Sequence, residues 1–345
     1  MSAKWICACL LAGAAGLVSA QPATPSPADL PSPWQDGRFA WTLGEPVLAP
    51  VDPADDHRYS VKDPTIVRHD GRWHLFCTVR SEKRSHQIEY LSFADWPQAN
   101  AAKRHVLNLT DGYYCAPQVF YFTAHKTWYL VCQVSDETRK PALQPAWCTN
   151  DRIDNPAGWT RPGLLYERHP DNVSMWIDFW VICDATRAHL FFTSLDGRMW
   201  RAETPIADFP RGWSRPQVVL QADIFEASHT YRLKERDQYL TVVEAQADGR
   251  RYYKAYLADS LDGAWRPLAA TRDKPFAAPV NVVQDPHWSD SFSHGELLRD
   301  GFDQTLTVDP DRLEFLFQGV SDADKAGKPY GQIPWRLGLL RSALP

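Results

Sequence analysis

The chain has 345 residues, with 37 basic against 42 acidic side chains and a formal net charge of −5. That balance excludes a broad basic face for nucleic acid or an anionic membrane surface, and 44% hydrophobic with 23% charged residues excludes a disordered chain. No apolar run beyond the amino-terminal segment is long enough to cross a bilayer, while 15 Trp, 13 Tyr and 27 Pro against 18 Gly and 3 Met favour strands over helices.

In chain order, Lys4, the apolar run from Trp5 to Val18 and the small triplet Val18-Ser19-Ala20 predict a secretory signal over residues 1–20. Export makes the expected mature protein secreted and extracellular. Residues 21–33 are a Pro-rich leader, expected to be disordered. One folded domain is expected over residues 34–345. Cys7 and Cys9 leave with the signal. Cys77, Cys115, Cys132, Cys148 and Cys183 remain, an odd number, so at least one thiol is free. No spacing suits a structural zinc site.

A paired-strand module then recurs. Residues 63–68 turn at Asp70-Gly71 into 73–79, and 116–122 turn at His125-Lys126 into 128–132. Residues 179–184 return as 189–194, 226–233 as 238–243, and a weaker fifth copy, 304–309, as 313–319. Segments 91–96, 147–150 and 256–260 supply outer strands. Copies roughly fifty to seventy residues apart are too long for a solenoid and suit four-stranded blades. The expected fold is an all-β, five-bladed β-propeller, closed by 335–340 pairing beside 39–43. A large sandwich or jelly roll is the competing all-β reading; it gives evenly spaced strands without a repeated pair.

The first strand of each blade lines the central channel, and three of those strands begin at acids: Asp63, Asp178 and Glu226. Asp63 follows Lys62, Asp178 sits inside Trp176-Ile-Asp-Phe-Trp180, and Glu226 follows Phe225. A buried carboxyl has a raised pKa, which a general acid needs near neutral pH. Three such groups at one mouth can divide the roles of glycosidic hydrolysis: one ionised to activate water, one protonated to donate, one to tune the second. Singly, each acid could equally be a strand cap tied to backbone amides. Ser293-His294-Gly295-Glu296 and Tyr330-Gly-Gln-Ile-Pro-Trp-Arg336 point to the same mouth, although a lone His or aromatic residue is commonly a core residue.

These segments resemble glycoside hydrolase family 62 in their motifs and order: Val61-Lys-Asp-Pro-Thr-Ile-Val, Tyr90-Leu-Ser-Phe-Ala-Asp-Trp, Ile177-Asp-Phe-Trp, Phe225-Glu-Ala-Ser, Gly249-Arg-Arg-Tyr-Tyr, Ser293-His-Gly-Glu and Ile333-Pro-Trp-Arg. The resemblance implies a secreted, inverting α-L-arabinofuranosidase that removes single arabinofuranosyl branches from arabinoxylan or a related plant cell-wall polysaccharide. It makes Asp63 the general base, Glu226 the general acid and Asp178 the pKa modulator. Lys62, Trp176, Tyr330 and Arg336 become contacts to the sugar, and a structural Ca2+ is implied in the channel beside His294. A monomer is expected, with neither nucleic acid nor membrane as partner.

The chain also departs from the family pattern. Gly331 stands where Asn is usual, Ala116 where Thr is, and Asp311 where fungal relatives carry a disulfide Cys; the Gln133-to-Trp147 segment is longer and more charged. Two other functions suit the same scaffold: a propeller acting on another glycan, as a xylosidase or arabinanase does, and a non-catalytic glycan binder, which needs no carboxyl triad.

Overall fold

The computed structural model describes residues 32–343. The expected signal, and the expected leader up to Pro31, lie outside these residues. The leader's last two positions already belong to the fold: Ser32 caps the short helix Pro33–Asp36, accepting from the Trp34 amide at 3.4 Å, and Pro33 is buried.

Five sheets follow, each built on antiparallel pairs. Blade one is Arg58–His69, Arg72–Ser81, Gln87–Phe93 and His105–Val106. Blade two is Tyr114–Phe122, Thr127–Ser135, Leu143–Asn150 and Gly163–Leu164, and blade three is Ile177–Cys183, Arg187–Thr193, Arg198–Pro205 and Gln217–Gln221. Blade four is Glu226–Leu233, Tyr239–Ala247, Arg250–Ala258 and Arg266–Ala269. Tight polar turns such as Asp70-Gly71 join the first two strands of a blade, as the alternation of Pro- and Gly-marked turns with aromatic and β-branched runs predicts.

The fifth blade closes the ring and corrects the expected fifth module. Its inner strand is Ser291–Leu297, which pairs with Glu314–Val320 and then Arg336–Ser342. Trp41–Leu43 adds antiparallel to Arg336–Ser342, with Leu43 opposite Leu340, and Val282–Gln284 adds parallel outside it. The closing pair is the one expected from sequence. Residues 304–309 do not form the inner strand; only Thr307–Val308 is extended, and it runs parallel beside Arg232 and Leu233 of blade four. The cause is local. Asp303 and Asp309 bend the chain by accepting amides two residues on, from Thr305 and Asp311, so the segment is too short to cross a blade.

Large side chains fill the wedge between blades. Trp41, Trp176, Trp180, Tyr231, Phe191 and Phe192 are all fully buried, and each contributes roughly 1.5–3 kcal/mol or more of burial free energy. The five cysteines among the described residues are buried free thiols; burial pushes those of Cys77 and Cys115 well above the usual thiol range, which keeps them unreactive.

The candidate active site

Each inner strand carries one kink at the same level. Asp63 (φ 46°), Ala116 (47°), Asp178 (58°), Ala227 (52°) and His294 (26°) all adopt the left-handed region, and a strand bulge interrupts the pairing at each of the five. For residues with a side chain such backbone costs on the order of 1–3 kcal/mol and persists only where its surroundings hold it. The repeated kink forms one ring of residues around the channel mouth.

The surroundings are equally regular. The residue opposite the one before each kink, on the neighbouring strand of the same blade, is Thr78, Gln133, Thr193, Glu244 or Gln318. Four of these accept the kink's amide in the next blade: Thr78 from Ala116 (2.9 Å), Gln133 from Asp178 (2.8 Å), Glu244 from His294 (2.8 Å) and Gln318 from Asp63 (2.8 Å). The exception lies between blades three and four. There the Ala227 amide donates to the Asp178 carboxylate at 3.1 Å, and the buried Thr193 hydroxyl has no partner. One latch of the ring is thus replaced by an acid of the site, which fixes that acid's orientation.

Glu226 falls one position earlier than the other two acids. In its blade Ala227 occupies the kink, so Glu226 corresponds to Lys62 in blade one and Cys115 in blade two. The three acids still meet at one mouth. His294 Nδ1 is 3.5 Å from Asp63 and 3.7 Å from Asp178. Lys62 Nζ is 3.9 Å from Asp63 and donates to the Tyr330 hydroxyl at 3.3 Å. Glu226 accepts from Arg251 at 3.0 Å, and Arg251 also pairs with Glu244, which holds the Ser293 hydroxyl (2.9 Å) and the His294 amide.

This wiring ionises the acids differently. Burial works to raise Asp63, yet the Lys62 ammonium and His294 beside it hold it below the usual carboxylate range. Asp178 goes well above that range, through burial first and then the charges of Glu226 and Asp63. Glu226 is pushed up to about 7 by burial and by Glu244, against the pull of Arg251 and Lys62. Lys62 is held above its ordinary value: burial is the largest single effect and works against its charge, but the neighbouring groups, Asp63 foremost and then Tyr330 and Glu226, together outweigh it. His294 is held below its ordinary value by burial, against the opposing pull of Asp63 and Glu244. The site therefore sets Asp63, held as a carboxylate, against Asp178 and Glu226, whose carboxyls are both pushed towards the protonated form, the equipment for general base and general acid.

Of the expected sugar contacts, Lys62 and Tyr330 adjoin the triad, and Tyr330 is the open face at 53% exposure. Arg336 starts the third strand of the closing blade, half-buried, bonded to Asp324 at 3.1 Å and 5.2 Å from the Trp288 ring. Trp176 is the correction. It is fully buried, its indole N–H donates to the Leu143 carbonyl at 2.6 Å, and it packs edge-on against Phe179 and Phe192, so it offers no face to a sugar. Its bond to Leu143 also ties down the charged hairpin after Gln133.

Sequence reasoning missed Arg251 and Glu244. The signal was present for Glu244, a carboxylate inside the apolar run Thr241-Val-Val-Glu-Ala245, the same anomaly that singled out Asp178. Arg251 has no such mark, because only tertiary packing brings it to Glu226.

Calcium takes six to eight oxygen ligands. Among the described residues no three His, Cys, Asp or Glu side chains are grouped to hold a metal, and His294 turns Nδ1 to the two aspartates. The residues present do not by themselves supply a calcium shell.

Comparison with known proteins agrees with this geometry. Residues 41–341 match the family model described as Glycosyl hydrolase family 62. The chain is 38% identical over 310 residues to "Alpha-L-arabinofuranosidase C" of Cellvibrio japonicus, covering 87% of this chain and 46% of that protein. It thus spans about half the length of that curated relative. Among solved structures, the catalytic domain of a Coprinopsis cinerea GH62 alpha-L-arabinofuranosidase superposes with a TM-score of 0.82 at 37% identity, over 89% of this chain and 98% of that one. A GH62 hydrolase in complex with xylotriose gives the same TM-score at 36% identity, over the same shares of the two chains.

Proposed function

Because the chain belongs to glycosyl hydrolase family 62, we propose that it releases single α-L-arabinofuranosyl side chains from arabinoxylan, with inversion at the anomeric carbon. The observation that carries this reading is the opposite ionisation of two acids at one mouth: Asp63 kept as a carboxylate by Lys62, Glu226 kept protonated to about pH 7 by burial and Glu244. The names of the relatives support the sugar, and the xylotriose complex of one of them supports a xylan backbone.

In the proposed reaction Asp63 takes a proton from a water as its oxygen bonds to the anomeric carbon. The bond from that carbon to the xylan oxygen breaks, and Glu226 gives its proton to that oxygen. Arg251, 3.0 Å from Glu226, then stabilises the glutamate formed. Asp178, oriented by the Ala227 amide and electrostatically coupled to Glu226, governs how readily that proton leaves. Lys62 and Tyr330 hold the ionised side of the site.

The test is incubation with wheat arabinoxylan, following released arabinose by NMR from the first turnover. Free arabinose appearing first as the β-anomer supports the reading, and its initial appearance as the α-anomer overturns the inverting step. Failure to release arabinose while still binding the polysaccharide favours a glycan binder. The protein is proposed to act outside the cell as a monomer, which secretion of the full chain and its sedimentation mass test. A calcium ion beside His294 is a separate proposal that would draw most of its ligands from water; dialysis against EDTA should then lower Tm, and an unchanged Tm overturns it.

A further inference from the structure

The mouth holds a cation that the reaction above does not use. Arg80 is the penultimate residue of the second strand of blade one and lies against the turn Tyr330–Gln332. A Cβ placed on Gly331 would fall 2.5 Å from Arg80 Nε and 2.6 Å from its Cζ, so the absence of a side chain there is what lets the guanidinium occupy this position. Gly331 adjoins Tyr330, whose hydroxyl binds Lys62. Arg80 is therefore one turn from the triad.

Its charge is left unanswered. Arg80 Nη1 donates to the Ser85 carbonyl at 3.3 Å, while Nε is buried with no hydrogen-bond partner. No carboxylate among the described residues pairs with it, whereas Lys62 has Asp63 and Arg251 has Glu226 and Glu244. The nearby His86 supplies no compensating charge: burial, then Lys62 and Arg80, hold it down to about 4, so it is neutral. A guanidinium offers a planar fork that matches a carboxylate two bonds at a time. The polymer proposed to lie across this mouth is neutral in its xylose and arabinose units, so a carboxylate must come from an acidic substituent.

Building on the arabinofuranosidase reading, we propose that Arg80, in the space left by Gly331, is a specificity-determining residue that binds the carboxylate of a uronic-acid substituent on the xylan chain beside the arabinosylated unit. The enzyme then prefers acidic arabinoxylan over the neutral polymer.

The experiment measures kcat/KM for arabinose release from two xylo-oligosaccharides that carry the same arabinose, one with a glucuronic acid on the adjacent xylose and one without. The wild type is expected to favour the acidic substrate, and Arg80→Ala to lower the acidic-to-neutral ratio about tenfold, the scale of a hydrogen bond to a charged group. Raising ionic strength should shrink the wild-type preference, since a partly exposed charge pair is screened. Gly331→Ala, which displaces the guanidinium without removing it, should lower the ratio in the same direction and guards against a misfolded Arg80→Ala. A ratio unchanged in both variants, with arabinose still released, overturns the role of Arg80 alone. No arabinose release by the wild type from either substrate overturns the arabinofuranosidase reading, and this proposal with it.

Discussion

Two residues of the same chemical type are set apart by their neighbours. Asp63 has a lysine and Glu226 has a second glutamate, and burial magnifies both differences because the water that would screen them is excluded. Glu226→Gln keeps the shape and removes the proton, so kcat on arabinoxylan should fall by about 10²–10⁴-fold, as loss of a general acid does, while the variant still binds the polysaccharide in a pull-down. The alkaline limb of the pH profile should follow the same residue. Activity is expected to decline as pH rises through about 7, where Glu226 loses its proton. Arg251→Met removes a group that pulls Glu226 down, so that limb should move to higher pH; a limb that stays in place would rule out the ion pair as its cause. Trp176 shows the limit of reading single residues. The family resemblance made it a sugar contact, but it precedes the inner strand Ile177–Cys183 and its ring is fully buried against Phe179 and Phe192.

At the scale of elements, the inner strands do two jobs through one device. The bulge and left-handed kink turn a side chain toward the channel and free an amide, which a residue of the preceding blade must accept. Thr193 is the place where that acceptor was displaced by Asp178. Thr193→Val should therefore keep or raise stability, by about 1 kcal/mol at most, since it removes a buried hydroxyl that bonds to nothing. Gln118→Ala should do the opposite. Its amide accepts from the Val181 amide and donates to the Val181 carbonyl, both at 2.7 Å, and its loss leaves two buried groups unpaired, at a cost of about 2 kcal/mol or more in urea unfolding. Strand pairs one to four were visible from sequence because polar turns separate runs of β-branched and aromatic residues. The fifth was not, because Ser293-His-Gly-Glu interrupts the apolar pattern of its true inner strand, whereas the weaker run 304–309, expected in its place, only edges blade four.

The whole molecule depends on ring closure. Trp41 anchors the closing strand, buried against Phe276 with its indole N–H bonded to the Phe276 carbonyl at 2.5 Å. Trp41→Ala should cost about 3–5 kcal/mol and lower Tm, since it leaves a cavity at the seam. The site also bears on global stability. Glu226 titrates near 4.5 unfolded and about 7 folded, so the folded state holds the extra proton between those values. Its contribution is complete below pH 4.5 and is lost as pH rises to 7. Denaturation followed across that window should show a declining stability that Glu226→Gln flattens.

The sequence alone determined the class of fold and most of its parts, because strand periodicity, turn residues and a repeating pair of strands are local properties that a linear chain displays. It also marked the acids, since a carboxylate amid apolar neighbours is anomalous wherever it ends up. Which acid ionises, and that Arg251, Glu244 and the Ala227 amide control this, was decided only by the tertiary structure. Those partners come from different strands and different blades, and a pKa is set by what lies within a few ångströms in space, a distance that separation along the chain does not encode.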